Sequence, residues 1–167
     1  MPEVLGLGLW ALVAAGFDLR RRRLPNLLTL GGLAVGVVVV LASGASLLGM
    51  APASAWQGLG LSLLLTLPGY ALGQLGAGDV KLAAAIAMLT GLVHFIVAFA
   101  LAAILALAVL LACRFARDLP YLHALCPEGW LPDGEAAGRA RRTVPFGAAL
   151  GIALPVSLLL LAGARAG

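Results

Sequence analysis

Two acidic side chains stand apart from the other charges of this chain. Asp18 ends one apolar stretch, and Asp79 ends the string Gly76-Ala77-Gly78-Asp79 that introduces another; neither has a polar loop around it. Ionisable groups beside membrane-depth segments are costly and usually functional. Two carboxylates brought close together cannot both ionise easily, so one keeps its proton and the pair can share a water molecule. One member then takes the water's proton while the other donates to the carbonyl under attack. Such a pair titrates as a unit, and it would suit hydrolysis of a peptide bond. Local readings stand beside this one. Asp18 could pair with Arg21 or Arg22 at helical spacing, worth a few tenths of a kcal/mol. Asp79 could be the N-cap of the helix that follows it.

The neighbours of the two acids are of the right kind for a site. Gly76 and Gly78 bracket the turn before Asp79, and glycine permits close approach of another backbone. Lys81 could tune the pair, grip a substrate or act as an interfacial anchor. Pro25-Asn26 opens a helix, with Asn26 a natural N-cap. Pro145-Phe146-Gly147 opens another, which puts a third non-helical element at the same boundary. His94 falls towards the opposite boundary. Cys113, His123 and Cys126 match no zinc spacing, and there is no phosphate loop and no Ser/His/Asp set. No metal and no cofactor is expected.

These residues must be positioned by apolar elements. The chain has 167 residues, 62% hydrophobic and 11% charged, with 22 glycines. That exceeds what a soluble domain of this size can bury, which excludes disorder, a disulfide scaffold and an ordinary cytosolic enzyme. An all-α, polytopic integral membrane protein is expected, with residues 1–167 forming a single domain. The net charge of +4 is explained by cytoplasmic loops rather than by nucleic acid. The arginines at 20–23 follow the first apolar stretch instead of preceding it, so that stretch reads as a retained helix rather than a cleaved signal.

Charge-free runs cover residues 4–17, 24–78, 82–113 and 143–164. A span needs about 20 residues, so 24–78 holds two helices, near 27–48 and 56–75, broken at Gly49-Met50-Ala51-Pro52. The basic loops at 18–26 and 114–143 share the cytoplasmic side only if 82–113 also holds two, broken near Thr90-Gly91. Six transmembrane helices follow, with the N-terminus outside and Asp18 and Asp79 at the cytoplasmic boundary. The helix near 80–90 is short for a span. The 114–143 loop carries membrane-surface aromatics and the acids Asp118, Glu128, Asp133 and Glu135, candidates for contacting a basic substrate segment.

The strings Phe17-Asp18-Leu19-Arg20, Leu24-Pro25-Asn26, Gly76-Ala77-Gly78-Asp79-Val80-Lys81-Leu82 and Val144-Pro145-Phe146-Gly147 together resemble the type IV prepilin peptidase and preflagellin peptidase family, GxGD-type aspartic membrane proteases. The resemblance runs through essentially the whole chain. It implies Asp18 and Asp79 as the catalytic pair. It also implies a bacterial inner-membrane enzyme that cuts short basic leaders from prepilin or pseudopilin precursors on the cytoplasmic side. Long members of the family carry a cytoplasmic insert with paired CxxC motifs and also methylate the new amino terminus. Here only nine residues (18–26) join the first two helices and no CxxC occurs, so peptidase activity without N-methyltransferase activity is expected. This looks like the short branch serving tight-adherence (Flp) pili. Ala148 stands where many relatives show a second proline. The competing reading is a small membrane transporter or a pilus or secretion assembly scaffold. A transporter would place polar groups near the bilayer midplane, whereas both acids here lie at one boundary.

Overall fold

Glycine and proline punctuate the apolar sequence, and the chain folds into helices between them. The computed structural model describes residues 2–21, 24–117 and 146–166. Among these are six helices: α1 (Pro2–Arg21), α2 (Asn26–Ser43), α3 (Pro52–Ala71), α4 (Ala77–Thr90), α5 (Leu92–Arg117) and α6 (Phe146–Ala166). Four of them contain stretches long and apolar enough to cross a bilayer: Pro2–Arg21, Asn26–Ser43, Leu92–Ala112 and Phe146–Gly163. The architecture is all-α and that of a polytopic membrane protein. Pro145, Arg22, Arg23, His123, Cys126 and most of the expected 114–143 loop, with its four acids, lie outside the described residues. The start of that loop is helical, because α5 continues to Arg117.

The breaks explain where the helices differ from expectation. α2 stops at Ser43 rather than near 48, because Gly44 takes a left-handed conformation (φ 67°) and its N–H donates to the Val40 carbonyl at 3.1 Å. That is an αL cap, which hydropathy alone does not register. α3 starts at Pro52 rather than near 56, since proline fits the first helical turn, where the N–H has no helical partner. The break at Gly91 falls where expected. Its φ is 85°, its N–H donates to the Ala87 carbonyl at 2.9 Å, and the next N–H, of Leu92, donates to Ser54 Oγ at 3.0 Å.

α4 lies at the centre. At 14 residues it is roughly 21 Å long, short of a ~30 Å hydrocarbon core, yet every residue from 82 to 90 is buried. Its run of alanines lets α2 and α3 pack closely on it, with α5 alongside. α1 packs chiefly on α6, and α6 on α5. Asp18 and Asp79 therefore belong to helices with different principal neighbours. Four buried hydroxyls are satisfied within their own helices: Ser62 donates to Leu59 O (2.8 Å), Thr66 to Ser62 O (2.6 Å), Thr90 to Ile86 O (2.8 Å) and Ser157 to Leu154 O (2.7 Å).

Close crossings depend on glycine. A Cβ on Gly36 of α2 would sit 2.9 Å from Met88 Cβ and 3.4 Å from the Leu89 backbone nitrogen on α4. Gly36→Leu is therefore expected to cost about 1–3 kcal/mol through overpacking, read as a lower thermal midpoint in detergent. An unchanged midpoint would mean that α2 and α4 do not meet there.

Candidate active site

Asp18 lies in the last turn of α1 and Asp79 in the first turn of α4, and only 7% and 8% of their surfaces are exposed. The local geometry of Asp79 begins with Gly76. This residue is the N-cap of α4, with extended backbone, and its carbonyl accepts from the N–H of Asp79 at 3.0 Å and of Val80 at 3.3 Å. In return Asp79 Oδ2 accepts from the Gly76 N–H at 3.0 Å. The N-cap expectation for Asp79 is thus corrected. Asp79 is the third helical residue, and its side chain folds back over the true cap, as in the acidic half of a capping box. Only one oxygen is used in this way.

The other oxygen points to α6. A Cβ on Gly147 would lie 2.6 Å from Asp79 Oδ1 and 3.0 Å from Asp18 Oδ2. The two oxygens are therefore separated by less than twice the longer of these distances. Asp18 Oδ2 also accepts from the Ala148 N–H at 2.7 Å, a bond across 130 positions of sequence. The first turn of α6 thus meets both carboxylates, through the Ala148 N–H and the bare position at Gly147. The N–H groups of this turn have no partner within their own helix, and they lie at its positive end.

The surrounding residues hold α6 and the glycine turn in place. The Phe146 ring packs edge-on against Phe99 of α5, with centroids 5.4 Å apart, and Phe99 in turn lies 5.5 Å from Phe95. Gly78 lets Leu24 approach: a Cβ there would meet Leu24 Cβ at 3.1 Å, and a Cβ on Gly147 would meet Leu24 Cδ1 at 3.0 Å. Leu24 therefore covers both glycines beside the acids. Pro25, not Asn26, is the N-cap of α2, and its carbonyl accepts from the Leu28 N–H at 3.0 Å. Asn26 has a different partner, since its Oδ1 accepts from Lys81 Nζ at 2.9 Å and ties α2 to α4. Arg21 lies over the Phe17 ring, 5.9 Å from its centroid.

Of the residues singled out by sequence, Asp18, Asp79, Gly76, Gly78 and Gly147 come together. Phe146, at the start of α6, supports this group by packing on Phe99 of α5. Pro25, Asn26 and Lys81 form the adjoining α2–α4 contact. Pro145 lies outside the described residues. His94, at the far end of α4 near the start of α5, is buried away from the two acids. Two residues of the site escape sequence reasoning. Ala148 acts through its N–H, and Leu24 through its shape, so neither residue type announces a role.

The chain matches the Type IV leader peptidase family over residues 5–111, a stretch that includes both acids and ends within α5. No curated protein and no solved structure matches it significantly.

Proposed function

We propose, from the premise that the chain belongs to the type IV leader peptidase family, that Asp18 and Asp79 are the catalytic pair with which it removes basic leaders from prepilin or pseudopilin precursors. The observation that carries this reading is the pair of carboxylate oxygens facing one point beside Gly147. Two negative charges so close repel strongly, which is the condition for holding one proton between them. In that state the ionised member draws a proton from water, the oxygen attacks the scissile carbonyl, and the protonated member donates to the developing oxyanion. The proton then passes to the leaving amine, and the pair returns to its shared state.

The reading extends to topology. All six helices form one transmembrane domain in the bacterial inner membrane, with α4 completing its passage within the protein rather than against lipid. The N-terminus is outside, and the acids lie at the cytoplasmic boundary with Arg20 and Arg21 at the end of α1. Those arginines favour anionic lipid by about 1 kcal/mol each. A precursor whose basic leader meets its apolar helix at the membrane surface would present its junction at that depth.

The linker joining α1 to α2 has no room for a cysteine-rich insert, and no CxxC occurs in the sequence. Cleavage without methylation is therefore expected. The test is co-expression with a tight-adherence pilin precursor, followed by intact mass and N-terminal sequencing of the product. A shortened pilin with an unmodified amino terminus is the expected result. A precursor left intact by the wild-type protein would favour a transporter or an assembly scaffold, and a methylated product would overturn the peptidase-only assignment.

A further inference from the structure

Leu24 stands where the two acids meet. The point that a Cβ on Gly147 would occupy faces Asp79 Oδ1 at 2.6 Å and Asp18 Oδ2 at 3.0 Å, and it also faces Leu24 Cδ1 at 3.0 Å. A Cβ on Gly78 would lie 3.1 Å from Leu24 Cβ and 3.3 Å from the same Cδ1. One methyl group therefore forms an apolar wall of the space that the carboxylates share, beside two positions bare of side chains. A single added carbon at either glycine would already be closer to it than ordinary van der Waals contact.

The stance of this side chain is built into the chain around it. Leu24 precedes a proline, which restricts its backbone to extended conformations. Pro25 in turn caps α2, its carbonyl accepting from the N–H groups of Leu28 at 3.0 Å and Thr29 at 3.2 Å. Asn26, the next residue, accepts from Lys81 of α4 at 2.9 Å, two positions beyond Asp79. Leu24 also packs against the buried apolar core. The string Leu24-Pro25-Asn26 thus fixes one side chain against the acids without supplying a reacting group. A water molecule held by the two acids attacks a carbonyl only when that carbonyl lies within about 3–3.5 Å of it. The residues flanking the scissile bond must then enter the space that Leu24 bounds, where a branched side chain would meet its methyl carbon. We propose that Leu24 is a specificity-determining residue, which limits the size of the substrate side chain beside the scissile bond.

This inference rests on the proposed peptidase reading. It is tested with the full-length enzyme in proteoliposomes and pilin precursors that carry Gly, Ala or Val, one at a time, on either side of the cleaved bond. At one of these two positions wild type is expected to lose about tenfold or more in kcat/KM for each step up in size, the scale of a misfitting methylene. Leu24→Ala opens the wall, so the Val-to-Gly ratio of kcat/KM at that position is expected to rise by about tenfold or more. Each ratio is taken within one variant, so a change in overall activity or stability cancels. Leu24→Val gives a smaller rise in the same direction and supplies the answer if Leu24→Ala does not fold. Equal cleavage of all precursors by wild type, or wild-type ratios in the folded variant, would overturn the role of Leu24 and leave the peptidase reading intact. Failure of wild type to cleave any precursor would overturn both.

Discussion

Asp18→Asn and Asp79→Asn are each expected to yield a full-length, membrane-inserted protein that no longer cleaves a pilin precursor. Asparagine keeps the shape of the side chain and an oxygen that can still accept the N–H of Ala148 or of Gly76. What it loses is the exchangeable carboxyl proton. General acid–base assistance contributes on the order of 10²–10⁴-fold, so each single variant should lose activity on that scale. If the two acids act as the proposed unit, the double variant should be hardly worse than either single one. Cleavage is measured by the ratio of mature to precursor pilin on gels, with thermal stability as the control for folding. Wild-type cleavage by either single variant would break the shared-proton mechanism. Additive losses would instead mean two independent roles.

The second large effect is structural, and it arises where α6 crosses α1. A Cβ on Gly151 would lie 2.5 Å from the Ala11 carbonyl oxygen, 2.9 Å from Ala15 Cβ and 3.1 Å from the Ala15 nitrogen. Two of these atoms are backbone and cannot move aside without moving α1. Gly151→Leu is therefore expected to force α6 off α1 at a cost of about 3 kcal/mol, the upper end of overpacking. The same displacement would draw the Ala148 N–H away from Asp18, and a misplacement of about 1 Å can cost on the order of 10²-fold in rate. Thermal unfolding in detergent and precursor cleavage should therefore fail together. A variant that melts and cleaves like wild type would mean that the helices do not cross at Gly151. The same glycine-driven logic accounts for Gly147 and Gly151 lying four residues apart, as small-residue pairs do where transmembrane helices approach closely.

The contact between Lys81 and Asn26 illustrates why local rules read only part of such a site. Asn26 follows a proline at a helix start, and capping preference points to it as the N-cap. The cap is instead Pro25, and the Asn26 side chain accepts from a lysine 55 positions away. Asp79 has the converse history. Its helix-start position is legible, but its carboxylate caps Gly76 with one oxygen and turns the other towards Asp18.

The sequence by itself determined the elements and the candidates. Charges in an apolar chain are costly wherever they fall, so the two acids beside apolar segments stand out without any structure. Hydropathy together with glycine and proline marks the apolar runs and the break after residue 48, and the requirement that both basic loops share one side divides 82–113 near Gly91, which makes six helices. Tertiary structure decided what those candidates face. Nothing in the order of residues says that the first turn of α6 lies between Asp18 and Asp79, or that Leu24 covers Gly78 and Gly147. Nor does it say that a 14-residue α4 is enclosed by its neighbours. Those outcomes depend on how whole helix surfaces fit together, and backbone N–H groups and missing side chains, which do much of the positioning here, leave no distinctive residue type to read.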